Sequence, residues 1–199
     1  MAIDSQTYPW ADRHTTGTFH YRNLYSTTFG YTETRKKVAA GTTTAILSAT
    51  AGAATAQTVT AGITQPDVPR VLSLTVGGAA GGVQSGTIIV TGTNIEGKVI
   101  TENFPVIIGT TGLSSGTKAF KSVTNVYIPA QVGTSATFAI GTLNVLGINH
   151  RLFKNNTTVK VYAASTVFGA LTLQGAPTVV ANERDVCNNT VQPATTPDG

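Results

Sequence analysis

The stretch Val71-Leu-Ser-Leu-Thr-Val-Gly-Gly78 decides the fold class of this chain. Leu72, Leu74 and Val76 alternate with Val71, Ser73 and Thr75. Successive side chains of an extended chain point to opposite faces, so a period of two predicts a strand with one buried face. Gly77-Gly78 ends it. Two more runs follow, Thr87-Ile-Ile-Val-Thr91 and Lys98-Val-Ile-Thr-Glu-Asn-Phe104, with the loop Gly92-Thr-Asn-Ile-Glu-Gly97 between them. They read as a hairpin.

Working outward, the same reading places strands at residues 105–108, 119–128, 136–140, 143–148, 158–163, 168–173 and 178–181. The gaps at 109–116, 129–133, 149–156 and 175–177 each hold Gly, Pro or Asn, which turn chains. Composition agrees: the 199 residues include 36 Thr and 21 Gly, while Glu, Lys, Gln, Arg and Met are scarce. β-Branched side chains lose rotamer freedom in a helix and fit a pleated surface. With no helical crossover pattern to join parallel strands, the sheets are expected to be antiparallel. The expectation is an all-β chain, an antiparallel β-sandwich of jelly-roll or Ig-like type over residues 71–181.

The flanks read differently. Residues 1–37 form an expected extended arm holding half of the aromatic residues: Tyr8, Trp10, Phe19, Tyr21, Tyr25, Phe29 and Tyr31, interleaved with Thr, His, Arg and Asn. Removing such rings from water gains about 25 cal/mol per Å², so the arm is expected to lie against its own domain or a neighbouring subunit, and these seven residues are its candidate partner-binding set. Residues 38–70, rich in Thr, Ala and Gly, are expected to be extended strands or ribbon outside the sandwich core. Pro66 and Pro69 then force a turn into the sandwich. Residues 182–199, with three acids and two prolines, read as an extended tail.

Charge and cysteine content exclude several classes. Thirteen basic against nine acidic residues leave a net +4. Arg35-Lys36-Lys37 is the only basic run, too short for a groove that tracks phosphates, so no specific nucleic-acid partner is expected. A lone Cys187 cannot build an intrachain disulfide framework, and no Cys/His spacing suits zinc. Without a long apolar stretch or a basic-then-apolar start, no membrane segment and no export are expected. Low charge and many strand edges point to self-association, with a trimer favoured.

Motifs that carry chemistry come close and fail. Gly112-Leu-Ser-Ser-Gly116 has the letters of a nucleophile elbow at Ser114, but a strand pattern follows where a helix is needed, and no acid precedes His150 in the required order; a Gly/Ser turn is the better reading. Gly92-Thr-Asn-Ile-Glu-Gly97-Lys98 resembles a phosphate loop, yet Val99 replaces the magnesium-holding hydroxyl and Glu96 would repel phosphate. His14 and His20 with Asp4 and Asp12 lack metal-ligand spacing. Glu96 and Glu102 flank a strand and are expected to be exposed rather than a glycosidase pair. Cys187 reads as a bystander thiol, and the sequons at Asn155, Asn156 and Asn188 matter only with export. No catalytic residue, cofactor or metal site is expected.

Residues 59–140 carry a resemblance. Val59-Thr-Ala-Gly-Ile-Thr-Gln-Pro-Asp-Val-Pro-Arg70, Leu74-Thr-Val-Gly77, Ile89-Val-Thr-Gly-Thr-Asn94, Gly97-Lys-Val-Ile-Thr-Glu102 and Lys118-Ala-Phe-Lys-Ser-Val-Thr124 resemble small β-rich virion proteins of tailed phages. The resemblance implies a non-enzymatic structural role in a virion assembled in the host cytoplasm, as a head decoration (cement) protein or a tail or connector component. Its implied partners are the major capsid protein or other virion subunits. Two readings from other classes stand beside it. One is a carbohydrate-binding or adhesin module using Tyr127 or Tyr162; against it, Phe104, Phe120, Tyr127, Phe138, Phe153, Tyr162 and Phe168 are expected mostly to pack the core. The other is a hydrolase centred on Ser114.

Overall fold

A computed structural model of the chain describes residues 20–22, 27–29, 38–148, 162–164, 171–173, 178–180 and 186–193. The chain divides into two units, Met1–Lys36 and Lys37–Gly199. In the first, β1 (His20–Arg22) and β2 (Thr27–Phe29) pair antiparallel, with His20 opposite Phe29 and Tyr21 opposite Thr28.

The second unit is an antiparallel β-sandwich. Its strands are β3 (Leu47–Ala51), β4 (Gln57–Val59), β5 (Arg70–Gly78), β6 (Gly86–Thr93), β7 (Val99–Val106), β8 (Gly112–Phe120), β9 (Ser122–Ile128), β10 (Ala136–Gly147), β11 (Tyr162–Ala164), β12 (Leu171–Leu173), β13 (Thr178–Val180) and β14 (Thr190–Gln192). The larger sheet runs β13-β14-β10-β5-β8, and β3 also pairs with β10; the smaller runs β4-β9-β6-β7. β11 and β12 form a separate pair. Since β5 occupies one side of β10 throughout, β3 and β14 share the other, β3 at Thr137 to Ile140 and β14 at Leu146 and Gly147.

The decisive stretch is the middle of this arrangement. Leu72, Leu74 and Val76 of β5 face the smaller sheet and join Phe120, Phe138 and Ile140 in a core closed from the other side by Ile88, Val90, Phe104, Val126 and Ile128. Burying each such side chain is worth about 1.5–3 kcal/mol. Along β7, alternate positions Ile100, Glu102, Phe104 and Val106 are buried, and β6 and β7 pair over eight residues as the expected hairpin.

Four expectations are corrected. Residues 38–70 contribute to the sandwich and its core rather than standing outside it: Ile46 and Leu47 are buried, Val59 and Ile63 pack against the core, and β3 and β4 supply one strand to each sheet. The larger apolar side chains Ile46 and Leu47 turn inward, while most of the alanines stay exposed. Residues 182–199 are not a plain tail, because β14 enters the larger sheet and Cys187 is buried in the core. Gly112 to Ser115 continue into β8 rather than turning; pairing with β5 overrides weak strand propensity. The strands expected at 136–140 and 143–148 are one strand, β10. Gly141 is small there because a Cβ would run into the Thr42 carbonyl oxygen, where residues 42–43 cross it.

Candidate functional site

Several polar side chains of the sandwich are engaged with its own backbone, while the buried hydroxyls of Ser73 and Thr75 have no hydrogen-bond partner. Glu102 is 7% exposed, facing inward from β7 towards β8. In β8 the register against β5 slips between Val71 opposite Ala119 and Ser73 opposite Ser115, which leaves Gly116 to Lys118 as a bulge facing Leu72. Glu102 Oε2 accepts from the Thr117 amide at 3.1 Å and the Lys118 amide at 2.8 Å, and Oε1 accepts from the Thr117 hydroxyl at 3.3 Å. In return, Lys118 Nζ donates to the Thr101 carbonyl of β7 at 2.6 Å. Edge strands of the two sheets are thus joined through side chains.

At the start of β5, Arg70 is 1% exposed and paired with Asp67 through Nε at 2.6 Å and Nη2 at 2.7 Å. Its guanidinium also donates to the carbonyls of Ala39 and Leu143. Burial opposes ionisation of the Asp67 carboxyl, but the Arg70 hydrogen bond, the Ala39 and Val68 amides and the guanidinium charge outweigh it, holding its pKa below the ordinary carboxylate value. The pair ties residues 38–41 to the turn before β5. Gln65 pairs with both backbone groups of Val123 at 2.8 and 3.0 Å, repairing a register break between β6 and β9. Gln131 bridges Gln84 to Pro129 and Ala130, and Asn94 Oδ1 accepts from the amides of Glu96 and Lys98 to close the β6–β7 turn.

That turn is the segment resembling a phosphate loop: its amides point to Asn94, not outward. Ser114, opposite Leu74, sits in a strand that continues on both sides, so the strained strand-to-helix geometry of an elbow is missing. Glu102 is buried, contrary to expectation, because the two-residue period of β7 puts it on the face of Ile100 and Phe104. Tyr127 also departs from expectation. Val126 and Ile128 face the core, and Tyr127 points to the other side of the smaller sheet, in one cross-strand row with Thr58, Ile89 and Asn103. A depression lined by Pro69, Ile95, Ala119, Gly147, Ile148 and Cys187 is too small to hold a water molecule. Among the described residues no group of three or more His, Cys, Asp or Glu could hold a metal ion.

One end of the sandwich exposes large apolar side chains. Here β5, β7 and β9 finish and β6, β8 and β10 begin, so the loops 79–85, 107–111 and 129–135 meet. The Gly109 amide donates to Val83, the Ile108 amide to Ser85 Oγ, and the Val132 amide to Gly82. Around this bonded frame Ile107, Ile108 and Val132, and Leu113 at the start of β8, are between 56% and 67% exposed. Three large apolar side chains on hydrogen-bonded loops and a fourth on an adjoining edge form a preset apolar surface.

Of the aromatic arm set, Tyr21 and Phe29 fall in β1 and β2. Tyr8, Trp10, Phe19, Tyr25 and Tyr31 lie outside the described residues, as do Asp4, Asp12, His14, His150, Phe153, Asn155, Asn156 and Phe168. Comparison with known protein families, characterised proteins and solved structures finds no match to this chain.

Proposed function

We propose that this chain is a non-enzymatic virion structural protein, a head decoration (cement) subunit that binds the major capsid lattice and neighbouring copies. The observation that carries the reading is the apolar loop end: Ile107, Ile108 and Val132 stand exposed on loops already fixed by hydrogen bonds, so docking them loses little conformational entropy. The polar side chains support it, since Glu102, Asp67, Gln65 and Gln131 hold backbone groups in place. The phage resemblance of residues 59–140 supplies the setting. In this reading the aromatic arm adds a second attachment, and many symmetric copies make the whole multivalent. A tail or connector subunit is the same reading at another place in the particle.

The test is co-sedimentation with empty phage-like capsids. The wild-type protein is expected to bind at a fixed ratio, and Ile107→Asp with Ile108→Asp to bind at least tenfold more weakly with the fold intact. Deletion of residues 1–37 is expected to leave a folded sandwich that no longer attaches. Undiminished attachment of both variants would overturn the reading. One observation favours a carbohydrate-binding module instead: the outward Tyr127, beside Thr58 and in the same cross-strand row as Asn103 beyond Ile89, offers a ring and polar groups on one face. A glycan-array signal lost in Tyr127→Ala would support it.

A further inference from the structure

A sheet edge is a row of unpaired backbone donors and acceptors, and native proteins block edges that are not meant to pair. This sandwich blocks its neighbouring edges β7 and β8 at particular positions. In β7, Pro105 removes a donor, and the Thr101 carbonyl is taken by Lys118 Nζ at 2.6 Å. In β8, the amides of Thr117 and Lys118 are taken by Glu102. Gly112, Leu113, Ser114 and Ser115 are different. β8 is the last strand of the larger sheet, these four residues pair with Val76, Thr75, Leu74 and Ser73 on one side only, and no described backbone group meets their other side. They carry no charge, and Leu113 stands exposed among them.

We infer that residues 111–115 pair antiparallel with the same residues of a second copy across a two-fold axis, joining two larger sheets into one continuous sheet. The lack of charge suits a second copy as the occupant: on a protein of net +4, this uncharged edge meets its own copy without the like-charge opposition that two charged edges would suffer. Geometry then fixes the register. Residues directly opposite in an antiparallel pair share a face, so a two-fold pairing must centre on a residue, not between two. Centring on Ser114 would bring in Gly116 and the bulge that Glu102 holds. Centring on Leu113 keeps both chains within 111–115, with Leu113 opposite its copy and Gly112 opposite Ser114 of the second copy. The exposed leucine is then covered at the axis. Such a contact is isologous and links copies pairwise, whether these are single chains or rings.

The inference rests on self-association in the proposed function, not on the capsid. Opposed Cβ atoms in this register lie about 5 Å apart, close enough for a disulfide after small adjustment. Full-length Leu113→Cys under mild oxidation is expected to run mostly as a covalent dimer on a non-reducing gel. Wild type, whose single Cys187 is buried, and Thr124→Cys on the smaller sheet are expected to stay single chains. Leu113→Lys should halve the native mass in light scattering with an unchanged circular dichroism spectrum. A Leu113→Cys protein that self-associates without cross-linking, or a Leu113→Lys protein of unchanged mass, would overturn the inference. So would a Leu113→Cys protein whose introduced thiol stays free in solution and is shielded only on capsids, which would assign the edge to the shell. Cross-linking without capsid binding would keep the edge contact and defeat the decoration reading.

Discussion

Replacing Glu102 separates the burial of a side chain from the capping of a bulge. In Glu102→Leu the inward position stays filled, but the Thr117 and Lys118 amides lose their acceptor. A buried donor left without a partner costs about 1–3 kcal/mol. Residues 117 and 118 sit in an edge bulge that water reaches in part, so the lower half of that range applies to each amide, for a total of about 2–4 kcal/mol. Glu102→Gln should behave differently. Both amides share Oε2, so one amide oxygen serves them both, while the new NH₂ can donate to the Thr117 hydroxyl; only the charge-assisted part is lost, about 1 kcal/mol.

Urea unfolding at neutral pH, followed by circular dichroism, measures both variants against wild type. About 2–4 kcal/mol is a large share of the about 5–15 kcal/mol that holds a domain together. The leucine variant should also precipitate sooner, since a longer stretch of β8 edge is left open. The reasoning fails if the leucine variant is as stable as the glutamine variant, because capping would then contribute nothing beyond burial.

Three other perturbations follow from the same geometry. Asp67→Ala strands a buried guanidinium and should cost about 2–4 kcal/mol, below the full value for a buried pair because Asp67 is about one-third exposed; because its folded pKa is lowered, the stabilisation is fully present above the ordinary carboxylate pKa and is lost as pH falls through the lower folded value, so the gap between wild type and Asp67→Ala in urea unfolding should shrink with acid, and a gap that widens in acid contradicts the ion pair. Ser73→Ala removes a hydroxyl that is buried with no hydrogen-bond partner and should be neutral or stabilise by up to about 1 kcal/mol in thermal unfolding, whereas a loss above about 1 kcal/mol would point to a partner for that hydroxyl. Gly141→Val would drive a side chain into the backbone of Thr42 and Thr43, so proteolysis should cut residues 38–46 at least tenfold faster, and an unchanged rate would mean that this crossing is loose.

The core was legible because its signal is local. Leu72, Leu74 and Val76 announce β5 by period alone, and the hairpin of β6 and β7 follows from two apolar runs around Asn94 and Gly97. Glu102 was legible too, had the period of β7 been carried one step further: Ile100, Phe104 and Val106 place residue 102 on the inner face whatever its charge. Other features were beyond the reach of a local reading. Nothing near Gly141 says that residues 42–43 will cross it, so a close approach between segments far apart in the chain reads as a turn. Pairing of β14 with β10 joins Gly147 to Thr190 across a long intervening segment, and three residues carry too little pattern to show it.

The proposed contact through a sheet edge would leave little trace in chemical motifs. Catalysis and metal binding need particular side chains at particular spacings, whereas edge pairing is made by backbone groups that every residue but proline possesses. What the side chains record is the opposite of a motif: blockers at positions that must not pair, and their lack where pairing is wanted. Pro105, Lys118 and Glu102 are the blockers here, while Gly112 to Ser115 carry one leucine and no charge. On the far side of the larger sheet the edge of β10 is covered by β3 from one part of the chain and β14 from another. Among the described residues no strand pairs with the outer sides of β3, β4 and β13 either, and what sets Gly112 to Ser115 apart is the exposed Leu113 together with a register that allows a second copy to continue the sheet.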